Sequence, residues 1–177
     1  SKHSDDSRRI AKLSGRSSAR PMYAAVVDAM DQAVGRILKT LDDEGLADNT
    51  IVIFFSDNGG AAYATGGADN VPLRGGKGNT FEGGMRVPFI AHWPAGITPN
   101  RTEHAMAMGI DLLPTVLDLL QLPAPSDRTL DGRSILSILT HGGPSPHDYL
   151  YYYDGETLFA VRDQHFKYRG AAGVLYG

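Results

Sequence analysis

The run TIVIFFSDNGG, residues 50–60, constrains the fold more than any other stretch of the chain. Ile51 to Phe55 is uninterrupted apolar and stops at a polar, glycine-ended turn, which suits a strand covered on both faces, as in a parallel sheet. Ahead of it Met22, Val26, Met30, Val34, Ile37 and Leu41 recur at three- and four-residue steps, with Asp28, Asp31, Arg36 and Lys39 between them. That spacing predicts an amphipathic helix, with Pro21 suited to its first turn and Gly45 ending it. A helix feeding such a strand is the second half of a βαβ unit, so the chain reads as α/β.

The rest of the chain divides by its punctuation. Residues 1–20 are rich in Ser, Arg, Lys and Asp without a period, and read as a polar lead-in. Residues 59–86 form a long Gly-rich stretch, uncommon inside a compact domain and often functional when present. VPFIAHW (87–93) reads as a second buried strand, Ile110 to Leu120 as a helix with Asp111 near its start and Pro114 in its first turn, and DGRSILSILT (131–140) as a short amphipathic helix. After the joint HGGPSP the period becomes two. YLYYY, TLFAVR and HFKYR read as antiparallel strands, the first two joined through Asp154-Gly155. The expected division is therefore a lead-in at 1–20, an α/β portion at 21–142, and the start of a small antiparallel subdomain at 143–177.

Composition removes several function classes. A net charge of −3 supplies no basic field, which argues against nucleic-acid binding. The absence of cysteine excludes disulfides, thiolate metal sites and a cysteine nucleophile within the chain, and decides nothing about compartment. No apolar run reaches the roughly 18 residues a membrane span needs. The glycine loop is no Walker A, which would want Gly where Val71 stands and Ser or Thr where Gly78 stands. A dinucleotide fingerprint fails at Phe81, and neither H-E-x-x-H nor G-x-S-x-G occurs.

Two elements remain that carry chemistry. SDNGG sits at the C-terminal end of a strand, the edge where open α/β sheets place ligands. Asp57 and Asn58 offer hard oxygen donors suited to Ca²⁺ or Mg²⁺, although Asp-Asn-Gly is also ordinary turn chemistry. The second is LRGGKGNTFEGGMRVP, residues 73–88. Its glycines let backbone approach a ligand and leave Lys77 as a point charge for a sulfate or phosphate oxygen, or else as a solvated loop lysine. Glu82 and Arg86, four apart, could brace the loop by an ion pair. His92 and His104 read as edge or surface residues; His3, His141, His147 and His165 show no metal spacing. The tyrosines at 149 and 151–153 read as strand packing, and Asn100-Arg101-Thr102 is a glycosylation sequon of a kind frequent by chance.

Together the DNG segment and the lysine loop resemble the sulfatase family of the alkaline-phosphatase-like superfamily, and the likeness runs through most of the chain. IDLLPTVLDLLQLP and LDGRSILSIL look like the segments leading to that family's C-terminal subdomain. The resemblance implies part of a mixed or parallel sheet with flanking helices, followed by the start of a small antiparallel subdomain. By it, Asp57 and Asn58 would be two ligands of a divalent cation, usually Ca²⁺, and Lys77 would contact the sulfate. The family hydrolyses sulfate esters with a formylglycine made from Cys or Ser, whose hydrate attacks sulfur. The implied substrate is a sulfated small molecule or glycan, and many relatives are exported or lysosomal.

The departures are equally specific. The family's N-terminal aspartate pair and its C/S-x-P/A-x-R nucleophile motif are not found. Ser4-Asp5-Asp6-Ser7-Arg8 has the Ser and Arg spacing, but Asp6 stands in place of Pro or Ala. The expectation is a C-terminal part of a sulfatase whose formylglycine lies upstream, inert as this chain alone because Ca²⁺ wants about 6–8 oxygens. Two other readings stay open: a phosphomonoester or phosphonate monoester hydrolase of the same superfamily, and a truncated, non-catalytic binding module. Missing partner strands would leave an open sheet edge, through which a homodimer could form.

Overall fold

A computed structural model describes residues 19–62, 67–170 and 174–176. The lead-in up to residue 18, with Ser4 to Arg8, lies outside the described residues. Two compact units meet in sequence at Trp93 and Pro94, Ser1–Trp93 and Pro94–Gly177, and each is taken by itself.

In the first unit the expected helix is α1, Ala19–Asp43, beginning two residues before Pro21. Gly45 ends it in the left-handed conformation at φ +67°, where a side chain would be strained. The Leu46 N–H bonds the Leu41 carbonyl at 2.8 Å and the Gly45 N–H that of Asp42 at 3.0 Å, which satisfies the carbonyls a helix end leaves open. A single 3₁₀ turn, Ala47–Asn49, leads to β1, Val52–Phe55. After the glycine loop and one helical turn, α2 (Glu82–Met85), comes β2, Phe89–His92. β2 pairs antiparallel with β1, from Val52 opposite His92 to Phe55 opposite Phe89.

The apolar runs lead to strands, but not to the burial expected of them. Phe89 is 41% and Ile90 60% exposed, and β1 is only half-buried. Among the described residues β1 has no parallel neighbour, and the sheet is two strands wide. Between α1 and the strands lies an apolar groove of about 460 Å³ whose lining includes Val27, Val34 and Leu38 of α1 and Val52, Phe54 and Ile90 of the strands.

The second unit has α3, Leu112–Leu119, entered through a 3₁₀ turn at Gly109–Asp111, and α4, Leu136–His141. Four antiparallel strands follow in the order β3-β4-β5-β6: Leu150–Asp154, Thr157–Arg162, Lys167–Arg169 and Val174–Tyr176. The first hairpin turns at Gly155, φ +58°, where the sequence places it. β6 was not foreseen. Met106, Leu150, Tyr152 and Ala160 form an apolar cluster of the unit, and Ile135, Ile138 and Leu139 are buried as well. The tyrosines divide: Tyr152 is buried, whereas Tyr149, Tyr151 and Tyr153 are exposed, the Tyr149 and Tyr151 rings lying 6.5 Å apart. The ammonium of buried Lys167 stands 3.7 Å over the Tyr152 ring, a cation–π contact that offsets its loss of water. In the turn after β4 the Phe166 N–H, then that of His165, holds the Asp163 carboxyl below the usual carboxylate range.

The helix expected over 131–140 begins five residues late. Asp131 to Ile135 is not helical, and two of its N–H groups find partners elsewhere. That of Arg133 bonds Asp111 Oδ1 at 2.9 Å, and that of Ile135 bonds Thr115 Oγ1 at 3.0 Å. Asp111, fully buried, also accepts the Met108 N–H at 2.7 Å and faces His147 Nε2 at 2.9 Å. The carboxylate thus joins α3, the segment before α4, and the segment before β3. Asp111→Ala leaves these donors buried without an acceptor, and should cost about 3 kcal/mol or more. Urea unfolding of the chain measures it; a loss under about 1 kcal/mol would show that water replaces the carboxylate freely.

Candidate functional site

β1 runs straight into the DNG turn. The Ser56 N–H still bonds the Pro88 carbonyl at 3.3 Å, extending the β1–β2 pairing by one step, and the Ser56 hydroxyl donates to the Asn58 carbonyl at 2.8 Å. From there the chain packs backbone on backbone. The Gly59 N–H bonds the Gly84 carbonyl at 2.9 Å, the Gly83 N–H bonds that of Arg74 at 2.8 Å, and the Lys77 N–H bonds that of Gly60 at 3.2 Å. Such closeness requires glycine. A Cβ on Gly76 would stand 2.6 Å from the Gly60 oxygen, and one on Gly59 would overlap the Gly83 carbonyl.

The structure therefore brings the singled-out residues to one place along the backbone: Lys77 is one hydrogen bond from Gly60, two residues after Asn58. Asp57 and Lys77 are exposed and Asn58 half-buried. Among the described residues none of these three side chains makes a hydrogen bond or ion pair within the protein. The brace expected between Glu82 and Arg86 takes another form. What joins them is the backbone bond from the Arg86 N–H to the Glu82 carbonyl at 2.7 Å, while the Arg74 guanidinium stacks 4.1 Å over the Phe81 ring.

The donor set is oxygen-only, a carboxylate and a carboxamide, and fits a hard divalent cation better than a transition metal. Two ligands do not complete such a site. Among the described residues no group of three or more His, Cys, Asp or Glu is placed to hold a metal ion.

Sequence reasoning missed Asn70. Its Oδ1 accepts the Gly60 N–H at 3.0 Å, while its Nδ2 donates to the Gly60 carbonyl at 2.9 Å and the Gly75 carbonyl at 3.0 Å. An Asn in a loop of small residues carries no local signal of such a role; only the ten-residue return of the chain creates it. His147 was likewise set aside, and it lies buried against Asp111, 36 residues away. His147 also lines an open cleft of about 850 Å³ in the second unit. Several polar groups there are already committed: His147 to Asp111, Glu103 to Arg101, and Asp163 to its own turn. His92 is exposed at its pairing position opposite Val52, and His104 is exposed too.

With that geometry in place, the comparisons with known proteins are specific. A family model described as Sulfatase matches residues 1–122, and one described as N-sulphoglucosamine sulphohydrolase, C-terminal, matches residues 76–169. The chain is 42% identical over 146 residues to N-acetylgalactosamine-6-sulfatase of Canis lupus familiaris, covering 81% of this chain and 28% of that protein. It is 36% identical over 151 residues to an arylsulfatase of Hemicentrotus pulcherrimus, covering 85% and 27% respectively. Among solved structures, Ps i-CgsB in complex with k-i-k-neocarrahexaose superposes with a TM-score of 0.83 at 29% identity, over 97% of this chain and 38% of that one. A protein in complex with its substrate D-glucosamine-2-N,6-O-disulfate gives 0.63 at 30% identity, over 83% and 30%. The chain thus spans little more than a quarter of the curated relatives it matches. No described helix is long and apolar enough to cross a membrane.

Proposed function

The chain belongs to the sulfatase family, and on that premise we propose that it is the part of a longer sulfate-ester hydrolase that carries two cation ligands and a sulfate-contacting lysine. Asp57 and Asn58 would hold a divalent cation, Ca²⁺ by the family resemblance. When bound, that ion supplies positive charge against the oxygens of the sulfate group. Lys77 adds a second positive charge from the neighbouring loop, placed where an anionic oxygen can meet it. The formylglycine nucleophile belongs to an upstream part, so the 177-residue chain alone turns over nothing.

The observation that carries this reading is the Lys77 N–H to Gly60 carbonyl bond, which ties the lysine loop directly to the end of the Asp57-Asn58 turn. Both side-chain types are thereby presented from one glycine-packed piece of backbone, with no internal partner competing for them among the described residues. The substrate class is a sulfated glycan or small molecule, in keeping with the D-glucosamine-2-N,6-O-disulfate bound by one structural neighbour.

The test is a comparison of aryl sulfate and aryl phosphate hydrolysis by the complete protein at saturating Ca²⁺ or Mn²⁺. The expected result is a preference for sulfate, with the isolated chain inactive on both. Faster turnover of phosphate would make the protein a phosphomonoester hydrolase of the same superfamily. Inactivity of the complete protein on both esters would point to a binding module.

A further inference from the structure

We propose that Asn70 is a positioning residue that fixes Lys77 relative to the Asp57-Asn58 turn. The inference rests on the reading of Lys77 above and goes beyond it, because Asn70 itself meets no ligand.

Main-chain hydrogen bonds join the Lys77 loop to the DNG turn, from the Gly59 N–H to the Gly84 carbonyl and from the Lys77 N–H to the Gly60 carbonyl. Asn70 is a side chain that joins the two: it holds Gly60 from both sides of its peptide unit, at N–H and at carbonyl, and holds the Gly75 carbonyl two residues before Lys77. A Cβ placed on Gly76 would come within 2.8 Å of Asn70 Nδ2, so the carboxamide lies against the loop backbone just before the lysine. Its roles cannot be exchanged. Oδ1 must accept and Nδ2 must donate twice, which a carboxamide alone of the common side chains of this size can do. Aspartate would set an oxygen against the Gly60 and Gly75 carbonyls, leaving two acceptors facing an acceptor. The lysine's long, flexible stem gives it no fixed position of its own. What fixes its root is the backbone from Gly75 to Gly78, and Asn70 pins that backbone to the turn carrying the cation ligands.

The experiment uses the complete protein and two readouts: kcat/KM on an aryl sulfate, and the dissociation constant of inorganic sulfate by calorimetry. Asn70→Asp, Asn70→Ala, Lys77→Ala and the double variant Asn70→Ala with Lys77→Ala form the set. Asn70→Ala is the neutral partner of Asn70→Asp, whose added charge would itself repel sulfate. The expected result is that Asn70→Ala weakens sulfate binding and lowers kcat/KM by roughly tenfold or more. In the Lys77→Ala background the same change should cost less than about twofold, because residues acting through one group are non-additive. Unfolding midpoints show that each variant is folded. Additive losses would overturn the proposal, since Asn70 would then act on something other than Lys77, and so would wild-type binding by Asn70→Ala. Full activity of Lys77→Ala would instead remove the reading of Lys77 itself, and Asn70 would have nothing to position.

Discussion

Asp57→Ala in the complete protein should abolish sulfate-ester hydrolysis while leaving the unfolding midpoint of the metal-free protein where it is. The two halves of that expectation have separate causes. Asp57 is exposed, at a turn, and without an internal partner among the described residues. Losing such a side chain moves stability by no more than about 0.5 kcal/mol. Its loss from a cation site is another matter. Affinity for a hard cation is set by the number and charge of its oxygen ligands. Groups that merely orient a metal ligand cost about 10–100-fold when removed, so the charged ligand itself should cost more than about 100-fold in Ca²⁺ affinity. Asp57→Asn, which keeps an oxygen and loses the charge, should fall between. Calorimetric Ca²⁺ titration and turnover of an aryl sulfate measure both. A fully active Asp57→Ala protein would remove Asp57 from the site.

Gly59→Ala should be nearly as damaging, and by a mechanical route. The added methyl would occupy the Gly83 carbonyl oxygen and stand 2.8 Å from the Gly84 Cα, all of it backbone that no rotamer change can clear. The DNG turn must then lift off the glycine loop, and the Gly59 N–H to Gly84 carbonyl bond is lost with it. Overpacking of this kind costs about 1–3 kcal/mol and the broken bond about 1 more. The same movement carries Asn58 away from Lys77, so kcat/KM should fall by more than about 100-fold, since displacements near 1 Å already cost that much. Gly35, in the exposed middle of α1 with nothing within 4 Å of its would-be Cβ, supplies the control. Alanine there should be neutral or slightly stabilising. Wild-type activity and unfolding of Gly59→Ala would mean that the two segments are not held face to face.

The route from residues to fold was clear where one element decides its own shape. The period of Met22 to Leu41 yields α1, the Gly45 stop falls where expected, and the switch to a period of two after Pro146 yields the hairpin turning at Gly155. It was misleading where distant partners compete for the backbone. Asp131 to Ile135 has helical patterning, but Thr115 takes the Ile135 N–H that a helix from Asp131 would have returned to the Asp131 carbonyl. It was silent on cover: the apolar strand runs foretell strands, yet which faces end up buried depends on neighbours that periodicity cannot supply.

The candidate site divides the same way. The sequence by itself determined the chemistry on offer, a carboxylate, a carboxamide and a glycine-flanked lysine, because side-chain identity sets donor type and charge whatever the fold. It determined the family as well, through two motifs whose glycines leave few alternatives for the backbone. Only the tertiary structure decided that these motifs share one packed piece of backbone and that Asn70 clasps them. It likewise decided that Asp111 and His147, 36 residues apart, meet in the interior of the second unit. Hydrogen bonds across such separations carry no signature in local composition. They exist because a buried or crowded polar group must find a partner, and the fold alone says which one is within reach.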